Sequence, residues 1–165
     1  GEITLGYVDE AGFAPTQPNR SAWTEQGETH LITAERGKRL NVVAALLSTG
    51  ALFSARFWER LTAAAFAGFL GLLLKSVGGP LTILLDKASI HKAKAIQPVL
   101  ALLKQQGLTL IFLPPYRPEL NCIELLWHKM KYDWLPFKAR TAEKLHEDVG
   151  KILDEFGSVC RMTFC

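Results

Sequence analysis

The stretch "LTILLDKASIH", Leu81 to His91, decides how the rest of the chain is read. It opens as a continuous β-prone apolar run, as expected of a strand covered on both faces, and the run stops at Asp86. An acid in that place lies where open α/β sheets gather their ligands, beyond the carboxyl ends of the strands. Upstream, "GGP" at 78–80 closes a segment from Phe57 to Lys75 whose Ala, Leu and Phe content predicts a largely buried helix. Gly68 and Gly71 cost that helix about 1 kcal/mol each against Ala. Downstream, residues 89–107 predict a helix with Ser89 as N-cap, Gly107 as stop, and Pro98 kinking or splitting it. "LTLIFL" at 108–113 predicts a second buried strand, and "PPYRP" at 114–118 a rigid extended connector.

Further out, "EITLGYVDE" at 2–10 is a β-prone run closing on two acids, followed by a Gly- and Pro-bearing loop, "AGFAPTQPNRSAW". "HLITAE" at 30–35 precedes the turn-like "RGKR". Val42 to Leu47 then suit a central strand, with "STG" turning into the next one, so that an antiparallel meander forms with the first strand. Towards the C-terminus, residues 119–134 predict a helix. The segment 141–157 predicts a closing helix, with Thr141 as the first member of a capping box and Leu145, Val149, Ile152 and Phe156 on one face. The order of elements describes a mixed α/β sheet with helices on both faces. There is no internal repeat, low-complexity tract or dividing linker, so residues 1–165 read as a single domain.

Composition agrees. A chain of 165 residues with 48% hydrophobic residues can bury one real core. The net charge of +3 is mild, but from Lys87 to Arg140 nine Lys or Arg stand against three acids, which predicts a basic face. Three widely spaced cysteines, Cys122, Cys160 and Cys165, with no C-x-x-C pair, argue against a disulfide framework or a structural zinc site. A reducing intracellular compartment is expected. The most apolar stretch, Ala63 to Leu74, is far shorter than the roughly 20 residues that cross a bilayer, and no membrane association is expected.

Asp9 and Asp86 both close β-prone runs. If their strands are neighbours, the two carboxylates face one crevice. Their mutual repulsion needs a raised pKa or a cation to relieve it, and oxygen-only ligation suits Mg²⁺ or Mn²⁺. Glu124 supplies a third carboxylate from the helix that follows the Pro-rich connector. On that helix Asn121, Glu124, His128 and Lys131 share one stripe. Periodicity alone also fits an amphipathic helix whose polar side meets water, with Leu125, Leu126 and Trp127 packing inward. Glu10 should point to the face opposite Asp9, and Trp23 and Trp127 read as packing residues.

"YVDE", "LLDKASIH" and "LPPYRPELNCIELLW" resemble, in order, the three signature blocks of DDE transposases of the mariner-like group and its bacterial insertion-sequence relatives. Thirty-seven residues separate Asp86 from Glu124, similar to the mid-thirties spacings of that family. The resemblance implies a ribonuclease H-like fold in which Asp9, Asp86 and Glu124 are catalytic and hold two Mg²⁺, with Mn²⁺ as substitute. It implies DNA strand cleavage and strand transfer, with element ends and target DNA as partners, in a homodimer. For a bacterial element it implies a cytoplasmic, nucleoid-associated protein. Candidate DNA contacts are Lys87, His91, Lys92, Lys94, Arg117, Asn121, His128 and Lys131. The helix-turn-helix module that family members carry before this domain is not in the sequence. Lys87 stands where the family pattern has Asn, Arg117 where it has Ser, and Cys122 where it has Pro. The alternatives are a catalytically inactive DNA-binding or assembly remnant, or another ribonuclease H-like nuclease.

Overall fold

The computed structural model describes residues 2–16, 25–28, 37–115 and 117–162. The segment "HLITAE", Trp23, Tyr116 and Cys165 fall outside the described residues. One five-stranded sheet organises the chain: β1 (Thr4–Phe13), β2 (Leu40–Leu47), β3 (Leu52–Phe57), β4 (Leu81–Leu85) and β5 (Leu108–Phe112), in the order β3-β2-β1-β4-β5. β1, β2 and β3 form the expected antiparallel meander, and β4 and β5 join parallel to β1.

One face of the sheet is covered by α1 (Ala63–Val77) and α2 (Gln97–Gln105). Their side chains Phe66, Phe69, Leu70, Leu73 and Leu103 pack on Val8, Leu81, Ile83 and Leu85. The other face carries α3 (Ile123–Lys129), which runs on as a π-helical turn (Met130–Trp134), and α4 (Ala142–Asp154). There Ile123, Leu126, Trp127, Met130, Leu145 and Val149 pack on Phe13, Val42 and Ala44. Helices therefore sit on both faces, and no helix among the described residues is long and apolar enough to cross a membrane.

The helix ends follow local chemistry. Thr62 caps α1 by accepting from the Ala65 amide at 3.2 Å, and Gly78, at φ 69°, ends it in the left-handed conformation that glycine adopts freely. Thr141 caps α4 by accepting from the Lys144 amide at 3.2 Å, the one capping-box member expected. Arg140, counted above in the basic face, is buried instead. Its guanidinium donates to Asp148 at 2.7 Å and to the Pro136 carbonyl at 2.6 Å, tying the loop before α4 to that helix.

Several expectations need correction. β1 does not stop at Asp9 but continues to Phe13, because β2 pairs with it along that whole length. Residues 89–107 do not form one helix. Two 3₁₀ turns, Ser89–Lys92 and Lys94–Ile96, come first, and Pro98 stands in the first turn of α2, where its missing N–H costs nothing. β5 is an edge strand with only Leu108 buried, because α3 and α4 lie over β1 and β2 and leave its outer face open. The predicted helix from residue 119 starts at Ile123, after a 3₁₀ turn at Pro118–Leu120.

Candidate active site

Strand register brings the two aspartates together. β1 and β4 pair in parallel from Thr4↔Leu81 to Tyr7↔Leu84, and two residues further along the same register Asp9 stands level with Asp86. β4 ends at Leu85, so Asp86 marks its carboxyl end. Asp9 lies inside β1, on the face that carries Ala11, Phe13 and α3. Glu10 points to the other face and lines a cleft with Trp58 and Ile90, as alternation along a strand requires.

The Asp9 carboxylate is held by the Trp127 indole, which donates to its Oδ2 at 3.1 Å. Trp127 is buried, one turn beyond Glu124, so this bond clamps α3 onto β1 beside Glu124. Burial first, with the charges of Glu124 and Asp86 added, raises the Asp9 pKa from 3.8 to about 7 against the lowering effect of the Glu10 amide and the indole. The three acids of the sequence blocks are thus electrostatic neighbours.

Asp86 is exposed and differently held. Its Oδ1 accepts from the Ala88 amide at 2.9 Å and lies 3.0 Å from His91 Nδ1. Nδ1 is also 3.1 Å from the Asp86 carbonyl oxygen, so both partners are acceptors and Nδ1 carries the proton. His91 is buried and stacks on Phe66, with ring centroids 4.3 Å apart. It therefore orients Asp86 from within the core, and its candidacy as a DNA contact is withdrawn.

Glu124 is exposed in the first turn of α3, whose opposite side buries Ile123, Leu126, Trp127 and Met130. Asn121, Glu124, His128 and Lys131 line one cleft of about 510 Å³, the stripe expected from their spacing. Asn121 is buried, and among the described residues its Oδ1 meets no donor, so it is no surface contact for DNA. Leu125, expected to pack inward, is half exposed. Lys87, Lys92 and Lys94 are exposed on the segment after β4, and among the described residues Lys87 makes no ion pair with Asp86. Arg117 is exposed and paired with Glu119 at 3.1 Å. Trp127, read from the sequence only as packing, holds Asp9, and Arg39, which the sequence did not single out, lies against Gly12. The glycine at position 12, inside a strand, was the available signal for close approach by another group.

Three hard-oxygen carboxylates, one of them partly buried and its charge destabilised by the others, match the donor chemistry of a divalent cation. Among the described residues, however, no three His, Cys, Asp or Glu side chains are gathered closely enough to hold an ion as they stand. The donor set fits such a cation in kind, and the side chains would have to close in around it.

A mixed five-stranded sheet in this order, with Asp9 inside β1 level with Asp86 at the end of β4, has the ribonuclease H-like fold. The Mos1 Strand Transfer Complex superposes with a TM-score of 0.70 at 21% identity, over 94% of this chain and 47% of that one. The catalytic domain of Mos1 mariner transposase gives 0.64 at 16% identity, covering 93% of this chain and 70% of the other. The catalytic core domain of BIV integrase gives 0.55 at 14% identity, covering 97% and 86%. These likenesses show the fold. The chain belongs to the DDE superfamily endonuclease family, whose model matches residues 4–146. It spans about half the length of the chain in the Mos1 Strand Transfer Complex. No curated protein matches it.

Proposed function

We propose that residues 1–165 form the catalytic domain of a DNA transposase that cleaves DNA strands and joins the freed ends to target DNA. Asp9, Asp86 and Glu124 are its catalytic carboxylates and hold divalent metal, Mg²⁺ with Mn²⁺ as substitute, two ions being the expected number. When bound, such ions activate the attacking oxygen and stabilise the leaving one in phosphodiester chemistry. The observation that carries this reading is the partly buried Asp9, level with Asp86, its pKa pushed up to about 7 by desolvation and by the charges of Glu124 and Asp86.

The chain's own residues set the geometry. The Trp127 indole fixes Asp9 Oδ2. The Ala88 amide and His91 take Asp86 Oδ1, which leaves Oδ2 as its outward oxygen. Near neutral pH Asp9 retains a proton part of the time, and it must release that proton to serve as a ligand. The partner is DNA, engaged mainly through its backbone by Lys87, Lys92, Lys94, Arg117, His128 and Lys131, in a homodimeric assembly.

A second reading is an inactive assembly remnant, favoured by Lys87 standing next to Asp86 in the chain. Nicking of supercoiled DNA with Mg²⁺ separates the two. Activity in the wild type that falls at least about 10³-fold in Glu124→Gln supports catalysis. Equal activity in the two proteins removes Glu124 from the mechanism, and no nicking at all favours the remnant. Joining of a 3′ end to plasmid DNA distinguishes a transposase from a simple ribonuclease H-like nuclease.

A further inference from the structure

Gly12 stands in β1 three residues past Asp9, and its missing side chain is occupied space. A Cβ there would fall 1.4 Å from Arg39 Nε and 2.1 Å from its Cζ, so the Arg39 guanidinium fills the space a side chain at position 12 would take. Arg39 reaches this position from the residue before β2, where Asn41 is the register partner of Gly12 and Leu40 that of Phe13. From the other side, the π-helical turn after α3 brings Lys131 Nζ to 5.5 Å above the Phe13 ring. Arg39 and Lys131 converge on one cavity of about 340 Å³, walled by Gly12, Phe13, Tyr132 and Leu135, and no carboxylate among the described residues lines it. Among the described residues Arg39 has no acid within ion-pair distance. The Lys131 ammonium has its pKa lowered by burial first and by the Arg39 charge second, which places the two cations in repulsive reach. Glu124 and Asp9 act on the same ammonium in the opposite sense, so the cavity opens beside the carboxylates. Two cations lining one pocket give it a positive charge that suits an anion.

We infer that Arg39 and Lys131 form a subsite for a single phosphodiester group of DNA, next to the linkage presented to Asp9, Asp86 and Glu124. This rests on the DNA-directed function proposed above. The planar guanidinium, seated against Gly12, offers paired N–H donors to two phosphate oxygens, and the ammonium adds a point charge from the far wall. Tyr132, stacked with His128 at 4.7 Å between centroids, gives the sugar an aromatic wall.

The test is the salt dependence of duplex binding, followed by anisotropy of a labelled oligonucleotide. Arg39→Gln, Lys131→Met and the double variant each flatten the slope of log affinity against log salt by about 0.9, the value of one lost phosphate contact. Lys75→Gln, on the last turn of α1, leaves it unchanged. Gly12→Ala reproduces Arg39→Gln, because its methyl group evicts the guanidinium; where it fails to fold, the arginine variant stands alone. An oligonucleotide series with one neutral methylphosphonate at a time shows a loss at one linkage for the wild type and no further loss there for Arg39→Gln. Wild-type slopes in both single variants, a double variant that loses twice as much, or losses at different linkages overturn the subsite. A site for free phosphate alone would leave the linkage series flat, and also overturns it. Asp86→Ala separates the two claims, since it abolishes cleavage and keeps the slope. Flattened slopes without any cleavage would sink the proposed function and leave the subsite, and cleavage with unchanged slopes would do the reverse.

Discussion

Helices α1 and α3 lie on opposite faces of one sheet and are built to different ends. α1 is closed at both termini, by the Thr62 side chain and by left-handed Gly78, and turns Phe66, Phe69, Leu70 and Leu73 into the core. α3 is seven residues long, has no side-chain cap, and passes into a π-helical turn closed by the Leu135 amide on the Met130 carbonyl at 3.1 Å. Just ahead of it, the buried Asn121 Oδ1 has no donor among the described residues. A helix that only packs can satisfy every local rule. One that presents Glu124, His128 and Lys131 to a cleft departs from several of them, and π-helical turns of this kind recur at functional sites.

The contrast can be broken at α1 first, where the effect is largest. Phe66→Ala should cost about 3–5 kcal/mol in a urea unfolding experiment, because a fully buried ring is lost. It should also loosen His91, and through it Asp86, so that nicking activity falls even where the protein stays folded. Full activity in the folded variant would show that Asp86 needs no support from this face.

The α3 side predicts a pH effect of the opposite character. The folded-state pKa of Asp9 is raised, to about 7, so the native chain holds a proton that the unfolded chain has released above about pH 4. Without metal, stability therefore falls as pH rises from about 4 to about 7, and the penalty is complete above that window. Asp9→Asn removes it. In chelator the variant should exceed the wild type at pH 8 by on the order of 4 kcal/mol and match it near pH 4. A difference independent of pH would mean that Asp9 is not held against its charge. The smallest effect returns to α1: Thr62→Ala should lower stability by about 1 kcal/mol at every pH, through the lost cap alone.

Much of this was legible in the residues. The apolar run ending at Asp86, the closing helix with Thr141 as cap, and the shared cleft of Asn121, Glu124, His128 and Lys131 all follow from local pattern. The continuation of β1 to Phe13 did not, because Gly12 and the following Ala-Pro read as a loop until β2 supplies hydrogen-bond partners. Nor did the place of β5, since "LTLIFL" has the composition of a covered strand and only the sheet order makes it an edge. His91 and Asn121 look like surface groups on any helical reading. Their burial depends on Phe66 and on the path into α3, which are tertiary facts. Arg39 was invisible for the same reason, as it meets Lys131 only across the sheet face.

The convergence of Asp9, Asp86 and Glu124 on divalent cations is best tested by calorimetric titration of Mn²⁺ at pH 7.5, in two buffers of different ionisation heat. The wild type should bind and release a fraction of a proton from Asp9, and Asp86→Ala and Glu124→Gln should each lose the binding. Equal uptake by all three proteins, or none by the wild type, would contradict it.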